Sequence, residues 1–148
     1  SIRRYFCRRT ITILKIEAPE SDYLYIQDSQ IANAGKGLFT AIDIYPNEII
    51  SLFKGEILTD EEAQKRVSEE NDRYFINMLD GSILDSMNVD CFAKYANDAE
   101  AFSKSTFKNN SKITLDDDDN VCIVATKKIK SQHEIFCSYG ARYWKKHK

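Results

Sequence analysis

The sequence predicts a mainly β fold with minor α, of the α+β class, arranged as one domain. Short apolar or alternating runs are separated by turn residues along the chain, and one segment carries a clear helix start. The 148 residues are 43% hydrophobic, which supports a modest core within a single domain.

Two strands are expected in the first third of the chain. Residues 23–27 alternate apolar and polar side chains, which is typical of a half-buried strand. Residues 48–53 form a more continuous apolar run, which indicates a more buried strand. Residues 33–37, Asn-Ala-Gly-Lys-Gly, are expected to form a turn between the two strands.

One helix and one tight hairpin follow. Thr59 and Glu62 have the spacing of a capping box, in which each residue binds the other's backbone amide, so we expect a helix of about three turns after them. The pair Asp80-Gly81 favours the positive φ angles of a tight turn, so residues 74–85 are predicted to form a β-hairpin.

The last part of the chain is predicted to be β structure. Residues 112–125 form a second hairpin whose tip carries the acidic run 116–119, and residues 134–138 form the last strand. The acidic run is either a solvated hairpin tip or an attractor for a basic peptide, and the sequence leaves both interpretations open.

Charge and composition narrow the class of partner. The net charge is −2 and the pI is near 5.7, so no positive field favours bare nucleic acid and a basic protein segment is the better partner. No apolar run is long enough to span a membrane, and the first residues lack the apolar stretch of a signal peptide, so we expect a soluble, intracellular protein. No metal site is expected, because the scattered cysteines form no paired motif: Cys7, Cys91, Cys122 and Cys137.

Three short motifs have a plain structural interpretation when each is taken alone. Gly35-Lys36-Gly37 is then a turn, and a phosphate loop is disfavoured because no helix pattern opens behind it. Asn97 is then a turn residue, and Tyr139 is a core or rim tyrosine with a satisfied hydroxyl.

The order and spacing of several motifs favour a different interpretation. The sequence carries, in order, G-x-G-L-F at 35–39, F-x-G-E at 53–56, Tyr74 before a hairpin, K-Y-A-N-D at 94–98, and E-I-F-C-S-Y-G at 134–140 followed by Tyr-Trp. This set resembles the SET-domain protein-lysine (histone-lysine) methyltransferases. The resemblance runs from about residue 23 to residue 144, so residues 21–148 are expected to form the SET domain, and the role of residues 1–20 stays open.

The resemblance implies both the fold and the site. The SET (β-clip) fold consists of small curved sheets with a C-terminal pseudoknot, in which the segment around Asn97 is threaded through a loop beside the last strand. The implied cofactor is S-adenosylmethionine, and it enters from the face opposite the substrate lysine. The implied cofactor-binding residues are Gly35, Lys36, Gly37, Leu38, Asn97, Asp98 and Trp144. The implied catalytic residues are Tyr139 and Tyr74, and the substrate channel is formed by Tyr74, Cys137, Tyr139 and Tyr143.

The implied residue types suit methyl transfer to an amine. A sulfonium is its own leaving group, so the enzyme mainly has to hold a neutral amine in line with the methyl group. An aromatic channel lowers the pKa of the substrate lysine by desolvating its ammonium group, and the charge of the cofactor acts in the same direction. The phenolic oxygens of Tyr139 and Tyr74 then accept from the amine and orient its lone pair.

The sequence departs from the family pattern at three places. Asp98 replaces the family's histidine, which leaves cofactor affinity intact only if that position acts through its backbone; Asn109 and Asn110 are candidates for the missing downstream asparagine. Cys137 replaces a larger aromatic residue, which either leaves room for di- or trimethylation or is a neutral core change. The family's cysteine-rich zinc segment does not follow Tyr139, so the tail from Arg142, or a partner, is expected to close the site.

The leading hypothesis is therefore S-adenosylmethionine-dependent methylation of a protein lysine. The expected substrate is a basic histone tail, which implies a nuclear location, and neither direct nucleic-acid binding nor a membrane partner is expected. The alternative is a catalytically inactive SET module that binds a peptide or a partner protein; a non-histone substrate also stays open, as does the oligomeric state. The joint presence of Tyr139 and Tyr74 with Gly35, Gly37 and Asn97 favours the enzyme.

Overall fold

The computed structural model describes residues 13–78, 80–101 and 105–138. Within these ranges short strands dominate, and the predicted mainly β fold with minor α is confirmed. The elements in chain order are β1 (Leu14–Lys15), α1 (Glu20–Tyr23), β2 (Leu24–Asp28), β3 (Lys36–Thr40), β4 (Glu48–Leu52), β5 (Glu56–Leu58), α2 (Asp60–Ser68), β6 (Phe75–Asn77), β7 (Ile83–Asp85), a first 3-10 helix (Ala93–Tyr95), a second 3-10 helix (Ala99–Ala101), β8 (Ser111–Leu115), β9 (Val121–Ala125), β10 (Glu134–Ile135) and β11 (Cys137–Ser138).

The strands form three small sheets. The largest has the order β1-β4-β9-β8-β11, and the two three-stranded sheets have the orders β10-β3-β2 and β5-β7-β6. Most neighbours are antiparallel, but β1 pairs with β4 and β11 pairs with β8 in parallel. The two parallel pairs bring sequence-distant segments together, and the second of them builds the candidate site.

The local sequence signals are confirmed in detail. Thr59 Oγ1 accepts a hydrogen bond from the amide of Glu62 at 3.1 Å, and Glu62 Oε1 accepts from the amide of Thr59 at 2.9 Å, so the capping box opens α2. In the hairpin between β6 and β7, Gly81 has a φ of +91° and the carboxylate of Asp80 accepts from the amide and hydroxyl of Ser82.

The segment 33–40 differs from its prediction. Asn33 and Gly35 adopt positive φ angles of 66° and 75°, so the turn is present, but it ends before Lys36. Lys36 and Gly37 already belong to β3 and pair with Asp28 and Gln27 of β2. The sequence signal of the glycine pair therefore marks the start of a strand, and residues after Thr40 bend away rather than continue it.

The acidic tip of the β8–β9 hairpin is held together by one of its own residues. Asp116 Oδ1 accepts hydrogen bonds from the amides of Asp118 and Asn120 at 2.9 and 2.8 Å. Asp117, Asp118 and Asp119 are exposed, as expected of a solvated tip. These hydrogen bonds stabilise the charged form, and the pKa of Asp116 is lowered even though partial burial acts against it.

The main core lies between the five-stranded sheet and the sheet β10-β3-β2. It contains fully buried side chains from β3, β4, β9, β10 and β11, and the first 3-10 helix closes it: Leu38, Ile50, Ile123, Ile135, Cys137 and Ala93. A second apolar cluster joins Ile31, Ala99 and Phe136, with Ala34 and Phe107 packed against it. No helix in the described ranges is long and apolar enough to cross a membrane.

An ion pair holds helix α2 against the sheet β5-β7-β6. Arg66 donates to Asp85 Oδ2 at 2.7 Å and to Glu56 Oε1 at 3.1 Å, and the Asp85 side chain is fully buried. Arg66 therefore compensates a carboxylate that would otherwise be buried without a cation.

The last strand passes between the two ends of one loop. On one edge, the amide of Cys137 donates to the carbonyl of Asn97 at 2.9 Å, and on the other edge the amide of Asn110 donates to the carbonyl of Phe136 at 2.9 Å. Asn97 and Phe136 form a parallel bridge, so the last strand lies between the segments that begin and end the loop 97–110. This arrangement is the predicted pseudoknot.

Buried thiols make the stability of the fold sensitive to high pH. Burial raises the pKa of Cys122 to about 12 and also raises the pKa values of Cys137 and Tyr23. The unfolded chain releases these protons at lower pH than the folded chain, so the contribution of the two thiols is complete below about pH 9 and falls above it by about 1.4 kcal/mol per pH unit for each thiol, while that of Tyr23 falls only above about pH 10. Urea unfolding in reductant at pH 8 to 10 should show this fall. Cys122→Ala should make the fall of stability with pH shallower, because one of the buried thiols is removed. An equal slope in both proteins would contradict the prediction.

Candidate functional site

Three segments that the sequence predicts as site residues meet at one place. The side-chain amide of Asn97 donates to the carbonyl oxygen of Lys36 at 3.0 Å, across 61 residues of sequence. The backbone of Asn97 is bonded to Cys137 of the last strand, which ends one residue before Tyr139. The Gly-Lys-Gly segment, Asn97 and the approach to Tyr139 therefore form one continuous junction.

Gly35 and Gly37 are glycines for different reasons. Gly35 has a φ of +75° and open space where a Cβ would stand, so its role is conformational and its backbone is accessible. A Cβ on Gly37 would overlap Oε2 of Glu134, and it would lie 2.9 Å from Glu134 Cδ and 3.2 Å from Ser29 Cα. The space beside Gly37 is therefore filled by a protein carboxylate.

Glu134 is the residue that sequence reasoning used only as part of a motif. Its side chain is 2% exposed, and its carboxylate accepts from the Ser29 hydroxyl at 2.7 Å and from the Gln30 amide at 2.8 Å. The amide of Ile31 donates in turn to Ser29 Oγ at 3.1 Å. Glu134 thereby holds the turn that leads into Gly35, and it packs directly against Gly37.

Asp98, which replaces the family's histidine, is occupied within its own loop. Its Oδ1 accepts from Asn109 Nδ2 at 2.8 Å and from the Glu100 amide at 3.0 Å, so it caps the second 3-10 helix. Asn109 Oδ1 accepts from the amide of Ala99 at 2.8 Å. The side chain of Asp98 therefore closes the loop, and this leaves the cofactor role of its backbone as a prediction.

Asn110 contacts the last strand directly. Its Oδ1 accepts from the amide of Phe136 at 2.9 Å, and its Nδ2 donates to the carbonyl of Glu134 at 3.0 Å. The Asn110 side chain thus accepts from one backbone amide and donates to one backbone carbonyl, as a neighbouring strand would. These two hydrogen bonds hold the end of the loop against the last strand. It supports the hypothesis that the Asn109-Asn110 pair replaces the family's downstream asparagine.

An apolar patch adjoins the polar junction. Phe136 is the bridge partner of Asn97, and its ring lies 5.1 Å from that of Phe107 at an angle of 31°. Ala99 and Ile31 complete this cluster. Backbone polar groups and an amide therefore lie next to a small buried cluster of aromatic and aliphatic side chains.

Leu38 and Cys137 direct their side chains into the main core. Both are 0% exposed, and Leu38 pairs with Ile135 of β10 and Ile26 of β2. Leu38 lies in the middle strand of its sheet and the whole residue is buried, so its cofactor role stays a prediction. Burial raises the pKa of the Cys137 thiol, so this thiol stays protonated and inert at neutral pH.

Tyr74 lies apart from the junction and is joined to it by a lysine. It precedes β6, is half-buried, and has the ammonium of Lys94 at 5.3 Å and the guanidinium of Arg73 at 5.0 Å from its ring centre. Within the described ranges, no hydrogen bond, ion pair or ring contact joins Tyr74 directly to Gly35, Gly37 or Asn97. Tyr139, Tyr143 and Trp144 lie outside the described residues, so their assigned roles stay predictions.

No metal-binding group is present in the part of the chain that the structure describes. No set of three histidine, cysteine, aspartate or glutamate side chains is close enough to hold an ion there. Cys91, Cys122 and Cys137 are free thiols, and the latter two are buried.

Comparison with known proteins gives one family. The SET domain model matches residues 35–140. A humanized mutant of the Chaetomium thermophilum Polycomb Repressive Complex 2 bound to an inhibitor is similar in fold, with a TM-score of 0.68 and 23% identity over 81% of this chain and 15% of that one. The structure described as ctPRC2 in an autoinhibited conformation bound to S-adenosylmethionine has a TM-score of 0.63 and 25% identity over 82% of this chain and 15% of that one.

A third solved structure agrees with these two. Chaetomium thermophilum Polycomb Repressive Complex 2 bound to an inhibitor has a TM-score of 0.66 and 26% identity over 81% of this chain and 16% of that one. The chain thus spans about 15% of the length of the chains it resembles. Because the family model covers more than two thirds of the 148 residues and the pseudoknot is present, the chain belongs to the SET-domain family.

Proposed function

We propose that this chain methylates a lysine side chain of a protein, with S-adenosylmethionine as the methyl donor and a basic histone tail as the substrate. The observation that carries the proposal is the junction of Asn97, the Lys36 carbonyl and the last strand. It brings the predicted cofactor residues to the strand that leads into Tyr139. The similarity to a structure described as bound to S-adenosylmethionine supports the choice of cofactor.

The residues at the junction suit the amino-acid end of the cofactor. The Asn97 amide uses its N–H group on the Lys36 carbonyl, and no described residue donates to its Oδ1, which is the atom that can accept from an ammonium. The carbonyl of the exposed Gly35 accepts from the Ser29 amide at 2.8 Å, so this glycine offers its own amide as a further polar group. We assign Asp98 to the adenine through its backbone, and Trp144 to covering the cofactor. The bound cofactor supplies an electrophilic methyl group.

The substrate lysine is assigned to the side of Tyr139 and Tyr74. A lysine in water has a pKa of about 10.4, so it must lose a proton before it can accept a methyl group. A channel walled by Tyr74, Tyr139 and Tyr143 removes water from the ammonium and lowers its pKa. The phenolic oxygens of Tyr139 and Tyr74 then hold the neutral amine in line for transfer.

Surface charge favours a basic peptide as the substrate. The exposed acidic residues 117–119 project from the β8–β9 hairpin, and the net charge of the chain is −2. Long-range attraction of this kind raises the rate at which a basic tail is encountered. A histone substrate implies a nuclear protein, and this location is part of the proposal.

Radiolabelled methyl transfer tests the proposal most directly. The chain is incubated with S-adenosylmethionine and a panel of histones and histone-tail peptides, with Tyr139→Phe alongside and mass spectrometry of the product. We expect label on one lysine, a loss of at least about 100-fold in Tyr139→Phe, and di- or trimethyl product because Cys137 is small.

Three outcomes would contradict parts of the proposal. Cofactor binding without transfer to any histone would refute the histone substrate. Monomethyl product alone at long incubation would refute the role given to Cys137. The absence of both transfer and calorimetric heat with the cofactor would favour the inactive SET module, with Asp98 in place of histidine as the cause.

A further inference from the structure

Lys94 is held by neutral groups on every side that the structure describes. Its ammonium donates to the carbonyls of Ser86 and Val89, both at 3.1 Å, and to the carbonyl of Met87 at 3.4 Å. An ammonium has three N–H donors, so each donor has one carbonyl. No carboxylate among the described residues forms an ion pair with Lys94.

Two tyrosine rings complete the surroundings of this ammonium. The Nζ atom lies 5.3 Å from the ring centre of Tyr74 and 5.5 Å from that of Tyr95. Both distances are within the range of about 6 Å over which a cation is attracted to an aromatic face. The ammonium therefore orients both rings as well as the three carbonyls.

Lys94 connects the two sides of the candidate site, which are the predicted substrate channel at Tyr74 and the predicted cofactor segment at Asn97. Tyr74 is assigned to the substrate channel and immediately precedes β6. Lys94 itself lies in the first 3-10 helix, which is anchored by the buried Ala93 and leads through Ala96 to Asn97. The carbonyls come from the turn that follows β7, the partner of β6. One side chain therefore connects the predicted channel wall to the residue that binds the Lys36 carbonyl.

We infer that Lys94 is a positioning residue that fixes Tyr74 relative to Asn97, and thereby couples the lysine channel to the cofactor segment. The assignment of the two sides rests on the proposed function. The mechanical connection does not, because it consists only of the contacts of Lys94 with the three carbonyls and the two rings.

Neighbouring charges supply matched controls. Arg73 also lies over Tyr74, at 5.0 Å, but is itself exposed. Arg66 holds the buried Asp85, whose Oδ1 accepts from the Met87 amide, so its loss disturbs the same sheet without touching Tyr74 or the first 3-10 helix. Arg73→Met isolates the effect of a cation over the ring, and Arg66→Met isolates general destabilisation.

The test compares Lys94→Met, Lys94→Arg, Arg73→Met and Arg66→Met at a temperature where all are folded. Calorimetry measures the dissociation constant for S-adenosylmethionine, and hydrogen exchange measures the amides of Val89, Tyr95 and Ala96. We expect Lys94→Met to raise the dissociation constant about tenfold and to speed exchange at these amides at least tenfold, while exchange in β2 and β3 is unchanged. Lys94→Arg keeps the charge and the donors and should recover most of both effects.

The outcomes separate the inference from the proposed function. If Arg66→Met, at an equal loss of melting temperature, changes affinity and exchange as much as Lys94→Met, the effect is general and the inference is wrong. The inference is also wrong if Lys94→Met leaves the three amides unchanged. If the unmodified chain binds no S-adenosylmethionine, the proposed function fails, and hydrogen exchange alone decides whether Lys94 connects the two segments.

Discussion

Asn97→Asp should abolish detectable binding of S-adenosylmethionine, with a loss of at least about 100-fold in affinity. The substitution keeps the shape of the side chain but replaces the N–H donor with a carboxylate oxygen, which would then face the Lys36 carbonyl oxygen that now accepts at 3.0 Å. An acceptor placed against an acceptor is repelled, so the carboxylate turns away and the contact between position 97 and Lys36 is lost. A carboxylate that turns away from the Lys36 carbonyl also displaces the oxygen that we assign to the cofactor's ammonium, so both effects act on one equilibrium. Isothermal calorimetry measures the result.

Asn71→Asp provides the matched control for this prediction. Asn71 is exposed, and its backbone amide donates to the carbonyl of Arg66 at 2.8 Å. It introduces the same negative charge into the protein and should leave affinity within about twofold, because exposed charges at a distance are screened. Equal affinity in Asn97→Asp and the unmodified chain would remove Asn97 from the cofactor site.

Gly37→Ala should lower the free energy of unfolding by about 3 kcal/mol, which is large for one added methyl group. The new Cβ would overlap the Glu134 carboxylate, which cannot move freely because Ser29 and Gln30 hold both of its oxygens. Displacement would leave a buried carboxylate without its donors, which adds to the steric cost. Urea unfolding followed by circular dichroism measures the loss.

A double-mutant cycle identifies Glu134 as the cause. In a Glu134→Ala background only Ser29 Cα, at 3.2 Å, still crowds the new Cβ, so Gly37→Ala should then cost at least about 1 kcal/mol less than it does alone. Gly35→Ala has no neighbour to displace and should cost only the strain of a positive φ, about 1 to 2 kcal/mol. Additive costs for Gly37→Ala and Glu134→Ala would mean that the two sites are independent.

Local sequence patterns predicted the elements whose stabilising contacts are also local. The capping box at Thr59 and Glu62 and the turn at Asp80-Gly81 involve residues within three positions of each other, and both are present. The pseudoknot was expected from the family resemblance, because no periodicity along one strand carries information about which loop surrounds it. Composition and periodicity alone predict a mainly β domain and nothing more specific about the fold.

The contacts that sequence reasoning missed join residues far apart in the chain. Glu134 binds Ser29 across 105 residues, and neither residue carries a local signal for the other. Gly37 was predicted to bind the cofactor, and its contact with the Glu134 carboxylate of the last strand was not expected from the glycine pair. Lys94 was noted only as the first residue of the motif at 94–98, and its contacts with the turn after β7 were not predicted. The break of the last strand into β10 and β11 at Phe136 also follows from partners in two different sheets.

The position of the last strand between Asn97 and Asn110 sets the order in which a newly made chain can mature. Synthesis proceeds from the N-terminus, so Gly37 and Asn97 leave the ribosome long before residues 134–138 do. Until those five residues arrive, Glu134 cannot hold the turn before Gly35, and the carbonyl of Asn97 lacks the amide of Cys137. A nascent chain that stops short of this strand therefore lacks the assembled junction that we assign to the methyl donor. The cofactor can then bind only chains that have been completed and folded. A ligand that binds only the native state raises the free energy of unfolding of those chains.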